Sequence, residues 1–145
     1  MIKIALIYLI IFSISIFAFA NNPSDQKDLQ KWFHAIRIKK SGDRHLSPYK
    51  DTNGVIILGA YSISQGFFDD AKEFDKTING EWEDCINSNK LCEQVILSYT
   101  RRYNHNNDTN RKAMCRLLNG GPHGCDKKST LEYWEDVQRI YKGLK

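Results

Sequence analysis

Four cysteines and four histidines carry much of the side-chain chemistry open to this 145-residue chain. Cys85, Cys92, Cys115 and Cys125 all lie in the second half. An even number of cysteines, in a chain that opens with Lys3 and the apolar run Ile4–Phe19 of a secretory leader, reads as two disulfides before it reads as a metal site. Cys85 and Cys92 are not at zinc-finger spacing, and His123-x-Cys125 lies in a Gly-Pro turn, so neither a metal nor another cofactor is expected. His34, His45, His105 and His123 show no spacing toward a serine or cysteine that would pair a nucleophile with its base. The net charge of +4 gives a mildly basic surface suited to anionic polymers. With no arginine-rich arm or helix-turn-helix pattern, nucleic acid is not expected as a partner.

The most distinctive stretch is Asn119-Gly-Gly-Pro-His-Gly-Cys125, followed by Ser129-Thr130 and Tyr133-Trp134. Together with Trp82-Glu-Asp-Cys85 and Tyr99-x-x-Arg-Tyr103, it resembles the C-terminal half of the invertebrate-type lysozymes, also called the destabilase family. Upstream, Leu58-Gly-Ala-Tyr-Ser-Ile63 and Phe67-Phe68-x-Asp70 stand where that family has Cys-Gly-Pro-Tyr-Gln-Ile and Tyr-Trp-x-Asp. The resemblance covers roughly residues 33 to 141, strongly in the second half and weakly in the first. It implies an α+β, helix-dominated lysozyme-like fold with one small β-sheet. It also implies a groove for bacterial peptidoglycan or chito-oligosaccharide.

Glycoside hydrolysis takes two carboxyl groups, one protonated to donate to the leaving oxygen and one ionised to stabilise or attack the anomeric carbon. In the family the acid is the Glu of a Glu-Ser-Gly motif at the end of the first helix, and the second carboxylate is an Asp eleven residues later. Here the motif reads Lys40-Ser41-Gly42, and the eleventh residue after Lys40 is Asp51. The resemblance therefore keeps the nucleophile position at Asp51 and puts Lys40 in place of the catalytic Glu. No carboxylate occurs between Asp28 and Asp43, which leaves Asp43 as the nearest substitute acid. An ammonium with an ordinary pKa of about 10.4 is a poor proton donor near neutral pH. Beside Asp51 it would form an ion pair instead.

Other positions depart from the family as well. Its cysteines near the active loop correspond to Asp43, Pro48, Leu58 and Ala71, its His before Asn-Gly-Gly to Leu118, and its Gln of Tyr-Gln-Ile to Ser62. The groove positions Tyr61, Phe67, Phe68, Tyr99, Asn119 and Gly120 match. Aromatic residues on helical faces are more often core residues, and Asn119-Gly120 is a helix terminator whatever else it does. An isopeptidase activity, also associated with the family, would ask Lys40 to activate Ser41, which requires a desolvated lysine.

The expected function is a secreted lysozyme-like protein that acts on or binds peptidoglycan, with muramidase activity weak or lost. One alternative is an active lysozyme of antibacterial defence or digestion, hydrolysing the β-1,4 bond between N-acetylmuramic acid and N-acetylglucosamine. The other is a non-enzymatic secreted effector on the same scaffold.

The elements that must position these residues follow from periodicity. Lys3, the apolar run Ile4–Phe19 and Ala18-Phe19-Ala20 form a secretory signal over residues 1–20, leaving 21–145 as one domain. The run is about sixteen residues, short of the roughly 20 that a membrane span requires, so no membrane partner is expected. Ser24-Asp25 caps a first helix bearing Leu29, Trp32, Phe33 and Ile36, which ends near Ser41-Gly42. Residues 42–50 read as loop, and the turn Asp51-Thr-Asn-Gly54 opens a small β element. A short helix starts at Phe67, and the longest buried helix carries Leu91, Cys92, Val95, Ile96, Tyr99 and Tyr103. Asn107-Asp-Thr109 is an N-glycosylation acceptor. A helix over Asn110–Leu118 stops at Gly120-Gly121-Pro122, and the capping box Ser129-x-x-Glu132 opens the last. Of the three possible disulfide pairings, two antiparallel helices around the Asn104–Thr109 turn favour the nested one, Cys85 with Cys125 and Cys92 with Cys115.

Overall fold

A computed structural model of the protein describes residues 23–105 and 110–145. The signal expected over residues 1–20 and the motif Asn107-Asp-Thr109 lie outside the described residues. The chain divides into two units, residues 1–31 and 32–145. In the first, residues 23–31 are the opening turns of helix α1 (Pro23–Ser41). Pro23 suits the first helical position because its missing N–H would find no helical partner there. Ser24 and Asp25 therefore lie inside the helix instead of capping it.

In the second unit, the closing half of α1 buries Trp32, Phe33, Ala35 and Ile36, the spacing of one helical face. Trp32 stacks on both Trp134 and Tyr141 of the last helix, at centroid distances of 5.2 and 4.0 Å. Past Ser41, Gly42 and Asp43 both take positive φ, and this ends α1. A three-stranded antiparallel sheet follows: β1 (Tyr49–Lys50), β2 (Ile56–Leu58) and β3 (Ile63–Ser64), in that order. Tyr49 pairs with Ile57 and Lys50 with Ile56, so part of the stretch expected as loop is strand. Two exposed residues offer no alternation by which a sequence could reveal them. Gly59 holds the sheet against the short 3₁₀ turn Trp82–Ile86: a Cβ there would meet the Cys85 carbonyl oxygen at 2.1 Å.

Helix α2 (Gln65–Phe74) is capped by Ser64, whose Oγ accepts the Phe67 N–H at 3.3 Å. Helix α3 (Asn89–Tyr103) buries Leu91, Cys92, Val95, Ile96 and Tyr99 along one face. Asp75, after α2, accepts from Ser98 of α3 at 2.6 Å and from Thr77 Oγ1 at 2.6 Å, fastening the two helices. Helix α4 (Asn110–Gly120) stops where Gly121, with φ of 73°, returns its N–H to Leu117. Helix α5 (Ser129–Gly143) starts without the expected capping box, because Lys128 before it is already helical. A 3₁₀ turn, Gly124–Asp126, feeds into it, and the Thr130 and Leu131 N–H groups go to the Lys127 and Lys128 carbonyls. The Thr130 hydroxyl instead ties Gly124 and accepts from Arg116 Nε. Phe33, Tyr61, Phe68, Val95, Met114, Leu117 and Val137 meet in one core, in an α+β fold dominated by helices.

Cys85, Cys92 and Cys115 are free and buried. The nested pairs Cys85 with Cys125 and Cys92 with Cys115 are therefore not formed. Cys92 donates its thiol to the Cys85 carbonyl at 3.5 Å, so it turns toward the start of its own helix. Cys115 lies in the field of Lys40, where burial pushes its thiol up to about 12. The two helices thus give these cysteines different neighbours, and symmetry about the turn does not bring them together.

Candidate functional site

A cleft of about 900 Å³ is lined by the end of α1, the small sheet and its turns, α2, α3, the end of α4 with the segment after it, and Tyr133 of α5. Lys40, Asp51, Phe67, Tyr99 and Asn119 line it together, and so do Asp70 and Tyr133. The hairpin positions Asp51 through its own turn. Its Oδ1 accepts the Asn53 N–H at 2.8 Å and the Val55 N–H at 2.9 Å, so two backbone donors hold the carboxylate in place.

Lys40 projects from the last turn of α1, and its Nζ donates to Asn119 Oδ1 at 3.3 Å. The same nitrogen stands 5.0 Å from the centroid of the Tyr133 ring, within cation–π range. Burial draws its pKa down to about 8, with Lys39 adding to the effect and Cys115 opposing it. Among the described residues no ion pair joins Lys40 to Asp51, so the pair expected from the sequence does not form; the neighbouring Lys39 binds Asp136 at 2.5 Å.

The aromatic wall is Phe67 on Tyr99, stacked at 3.7 Å and 17°. Phe67 is half-buried, while Tyr99 is almost wholly covered. Burial, with Tyr103 and Asp70 adding, raises the Tyr99 phenol well above its usual range. Asp70 accepts the Tyr103 hydroxyl at 2.8 Å, which holds its carboxylate at the same wall.

Four of the sequence candidates, Tyr61, Phe68, Asp43 and Gly120, stand elsewhere. Tyr61 is fully buried: its hydroxyl donates to Glu93 at 2.6 Å and accepts from Arg37 at 2.9 Å, with its ring edge-on to Phe33. Phe68 is a core residue of α2. Asp43 does not line the cleft; Arg37 Nε binds it at 2.6 Å and His34 at 3.2 Å. Burial opposes its ionisation, but the Arg37 hydrogen bond and the charges of Arg37 and His34 outweigh that and hold its carboxyl below the usual range. Gly120 packs against α5, where a Cβ would stand 2.6 Å from Thr130 Cγ2. Ser41 Oγ is spent on the backbone, donating to Arg37 O at 3.1 Å and accepting from Arg44 N at 3.2 Å.

Four further cleft residues receive no site role from the sequence, although the last three stand in its motifs: Tyr49, Ser62, Asp70 and Tyr133. Tyr49 and Ser62 share a hydrogen bond of 3.1 Å across the sheet, from a strand too short to be seen. Tyr133 is nearly buried, and among the described residues its hydroxyl has no hydrogen-bond partner. Asp70 carries a visible signal, since it closes the Phe67-Phe68-x-Asp70 motif. Among the described residues no cluster of three or more metal-ligating side chains occurs.

A family profile described as Destabilase matches residues 29–140. Invertebrate-type lysozyme 2 of Caenorhabditis elegans is 27% identical over 112 residues, which is 72% of this chain and 80% of that one. The invertebrate-type lysozyme of Ruditapes philippinarum is 31% identical over 96 residues, 63% of this chain and 68% of its own. Among solved structures, Tapes japonica lysozyme aligns with a TM-score of 0.67 at 28% identity, covering 80% of this chain and 94% of that one. An inhibitor-bound lysozyme from Meretrix lusoria gives the same 0.67 at 26% identity, over 80% and 94%. A profile matched along most of the sequence and a backbone shared with solved lysozymes agree, and the chain belongs to the invertebrate-type lysozyme, or destabilase, family.

Proposed function

We propose that this is a secreted lysozyme-like protein that keeps a groove for bacterial peptidoglycan or chito-oligosaccharide while its muramidase activity is weak or lost. One observation carries this reading: Asp51 shares its cleft with Lys40, at the position where the family resemblance asks for a carboxylic acid. With its pKa drawn to about 8, Lys40 is nearer to a usable donor than an ordinary lysine, so proton affinity alone is not the obstacle. Charge is. The transition state of glycoside cleavage is oxocarbenium-like, and an ammonium adds positive charge where positive charge develops. A carboxylic acid starts neutral and ends as a stabilising anion. Isopeptidase chemistry gains no support either, because the Ser41 hydroxyl is committed to the backbone and not to Lys40.

The groove itself is the supported half of the reading. The stacked Phe67–Tyr99 pair offers an apolar face of the kind that sugar rings stack on, and Asn119 offers an exposed amide for polar substituents. Secretion rests on the leader pattern of residues 1–20.

A second reading, an active lysozyme, is favoured by Asp70, the one further carboxylate among the described residues that line the cleft. Such an enzyme would pair Asp51 with Asp70, since Asp43 is bound to Arg37. Sedimentation with insoluble peptidoglycan and clearing of a cell-wall suspension test both. The expected result is cosedimentation without clearing. Clearing that Asp70→Asn abolishes would establish the second reading. Neither cosedimentation nor clearing would leave the non-enzymatic effector.

A further inference from the structure

Lys40 is a half-buried cation in a cleft wall with no acid of its own. Among the described residues its Nζ has one side-chain acceptor, Asn119 Oδ1, at a long 3.3 Å, and the face of Tyr133 beneath it. An ammonium has three donors, and a cation removed from water is costly without a counter-charge. Its neighbour Lys39 is neutralised by Asp136, which leaves Lys40 as the uncompensated one of the two. A second observation lies at the same wall: among the described residues the buried Tyr133 hydroxyl has no hydrogen-bond partner, a state that native proteins seldom leave unanswered.

We infer that the wall formed by Lys40, Asn119 and Tyr133 is an anion subsite, and that it takes the carboxylate of an acidic glycan in preference to a neutral one. This deepens the groove reading above and rests on it. The cleft has a polarity that fits. Asp51 and Asp70, from the hairpin and α2, repel an anion, whereas the lining contributed by α1, α4 and α5 is Lys39, Lys40, Leu118, Asn119 and Tyr133, without an acid. A carboxylate on the ligand therefore sets the register of the chain in the groove. It points toward Lys40 and away from Asp51. Where a carboxylic acid stands at position 40, this contact is repulsive or absent, so the preference belongs to the lysine.

The test is calorimetric binding near pH 6.5 of three tetrasaccharides. One is neutral chitotetraose, one alternates N-acetylglucosamine with N-acetylmuramic acid, and the third is that same ligand with its lactyl carboxylates amidated. The parent should bind the acidic ligand about tenfold more tightly than its amidated twin, the worth of one charge-assisted hydrogen bond. Lys40→Met should bind the two alike, and Lys40→Arg should recover part of the preference. Equal affinity for the acidic and amidated ligands in the parent overturns the inference while leaving the groove intact. So does a preference that survives in Lys40→Met. Failure of all three to bind removes the groove reading as well.

Discussion

Lys40 reaches Asn119 instead of Asp51. The ammonium sits 3.3 Å from the amide oxygen at the end of α4, above the Tyr133 ring, and makes no ion pair with Asp51, the carboxylate that the family resemblance pairs with position 40 and that lines the same cleft. The consequence is a site whose two key side chains are held by independent frameworks. Asp51 belongs to its hairpin turn, and Lys40 to the junction of α1, α4 and α5. Neither needs the other to keep its place.

That arrangement makes Lys40 a source of strain as well as of specificity. Its folded pKa, drawn by burial to about 8, lies below the ordinary 10.5. The unfolded chain therefore binds more protons between these values, and stability rises with pH across that window. Below pH 8 the charged lysine disfavours folding throughout. Lys40→Met should melt higher than the parent at pH 7, and the difference should shrink as pH rises from 8 to 10.5. Thermal melts of both proteins at pH 7 and pH 10 check this. A gap independent of pH would assign the effect to packing instead of charge.

Asp75 behaves in the opposite sense. Hydrogen bonds from the Ser98 and Thr77 hydroxyls and the Thr77 backbone, with the Arg101 charge, hold its carboxyl down to about 2. Its contribution is present above the ordinary value of 3.8 and is lost as pH falls toward 2. Asp75→Asn should be less stable than the parent at pH 6 and indistinguishable from it near pH 2. Urea unfolding at the two pH values decides it, and a deficit that persists in acid would mean the asparagine perturbs α2 and α3 by another route.

Tyr61 and Phe67 should separate cleanly. Removing Tyr61 opens a core cavity and leaves Glu93 and Arg37 without their shared hydroxyl. An aromatic-to-alanine change in a core costs about 3–5 kcal/mol, so Tyr61→Ala should lower stability steeply. Phe67→Ala lies at the cleft wall and should weaken binding of chitotetraose severalfold with a smaller loss of stability. Denaturant titration beside ligand titration makes the comparison. A fully stable Tyr61→Ala with weakened binding would return Tyr61 to the groove.

Asp43→Asn should leave ligand binding within about twofold of the parent and cost at most about 1 kcal/mol, the usual worth of an exposed ion pair. Arg37 and His34 would lose a partner, not the cleft a wall. A large loss of binding, or of any hydrolysis the parent shows, would place Asp43 at the site after all.

These contrasts mark what sequence could and could not convey. Helical faces such as Trp32, Phe33 and Ile36, or Leu91 through Tyr99, are written in three- and four-residue spacing, and the fold honours them. A motif and a fixed spacing point to Lys40 and Asp51, and both line the cleft. Tyr61 and Phe67 sit in equally suggestive motifs, yet one is core and one lines the cleft. Long-range partners, Glu93 and Arg37 for Tyr61 and Tyr99 for Phe67, decide the difference. The strand Tyr49–Lys50 exists only through pairing with Ile57 and Ile56. The Ser129 cap fails because a preceding 3₁₀ turn has already satisfied the N–H groups it would serve. The nested disulfides fail because helix rotation, which sequence symmetry does not encode, turns Cys92 toward Cys85.

The central claim is that the fold retains a glycan groove whose general acid has been replaced, and position 40 tests it most directly. Release of reducing ends from purified peptidoglycan can be followed for the parent, Lys40→Glu, and Lys40→Glu combined with Asp51→Asn. The parent should stay near background and the Lys40→Glu protein rise well above it, because a positioned acid is worth roughly 10²–10⁴ in rate. That gain should be lost when Asp51 is removed. A parent that already hydrolyses the polymer, with Lys40→Glu no faster, would mean that the general acid was never lost at position 40.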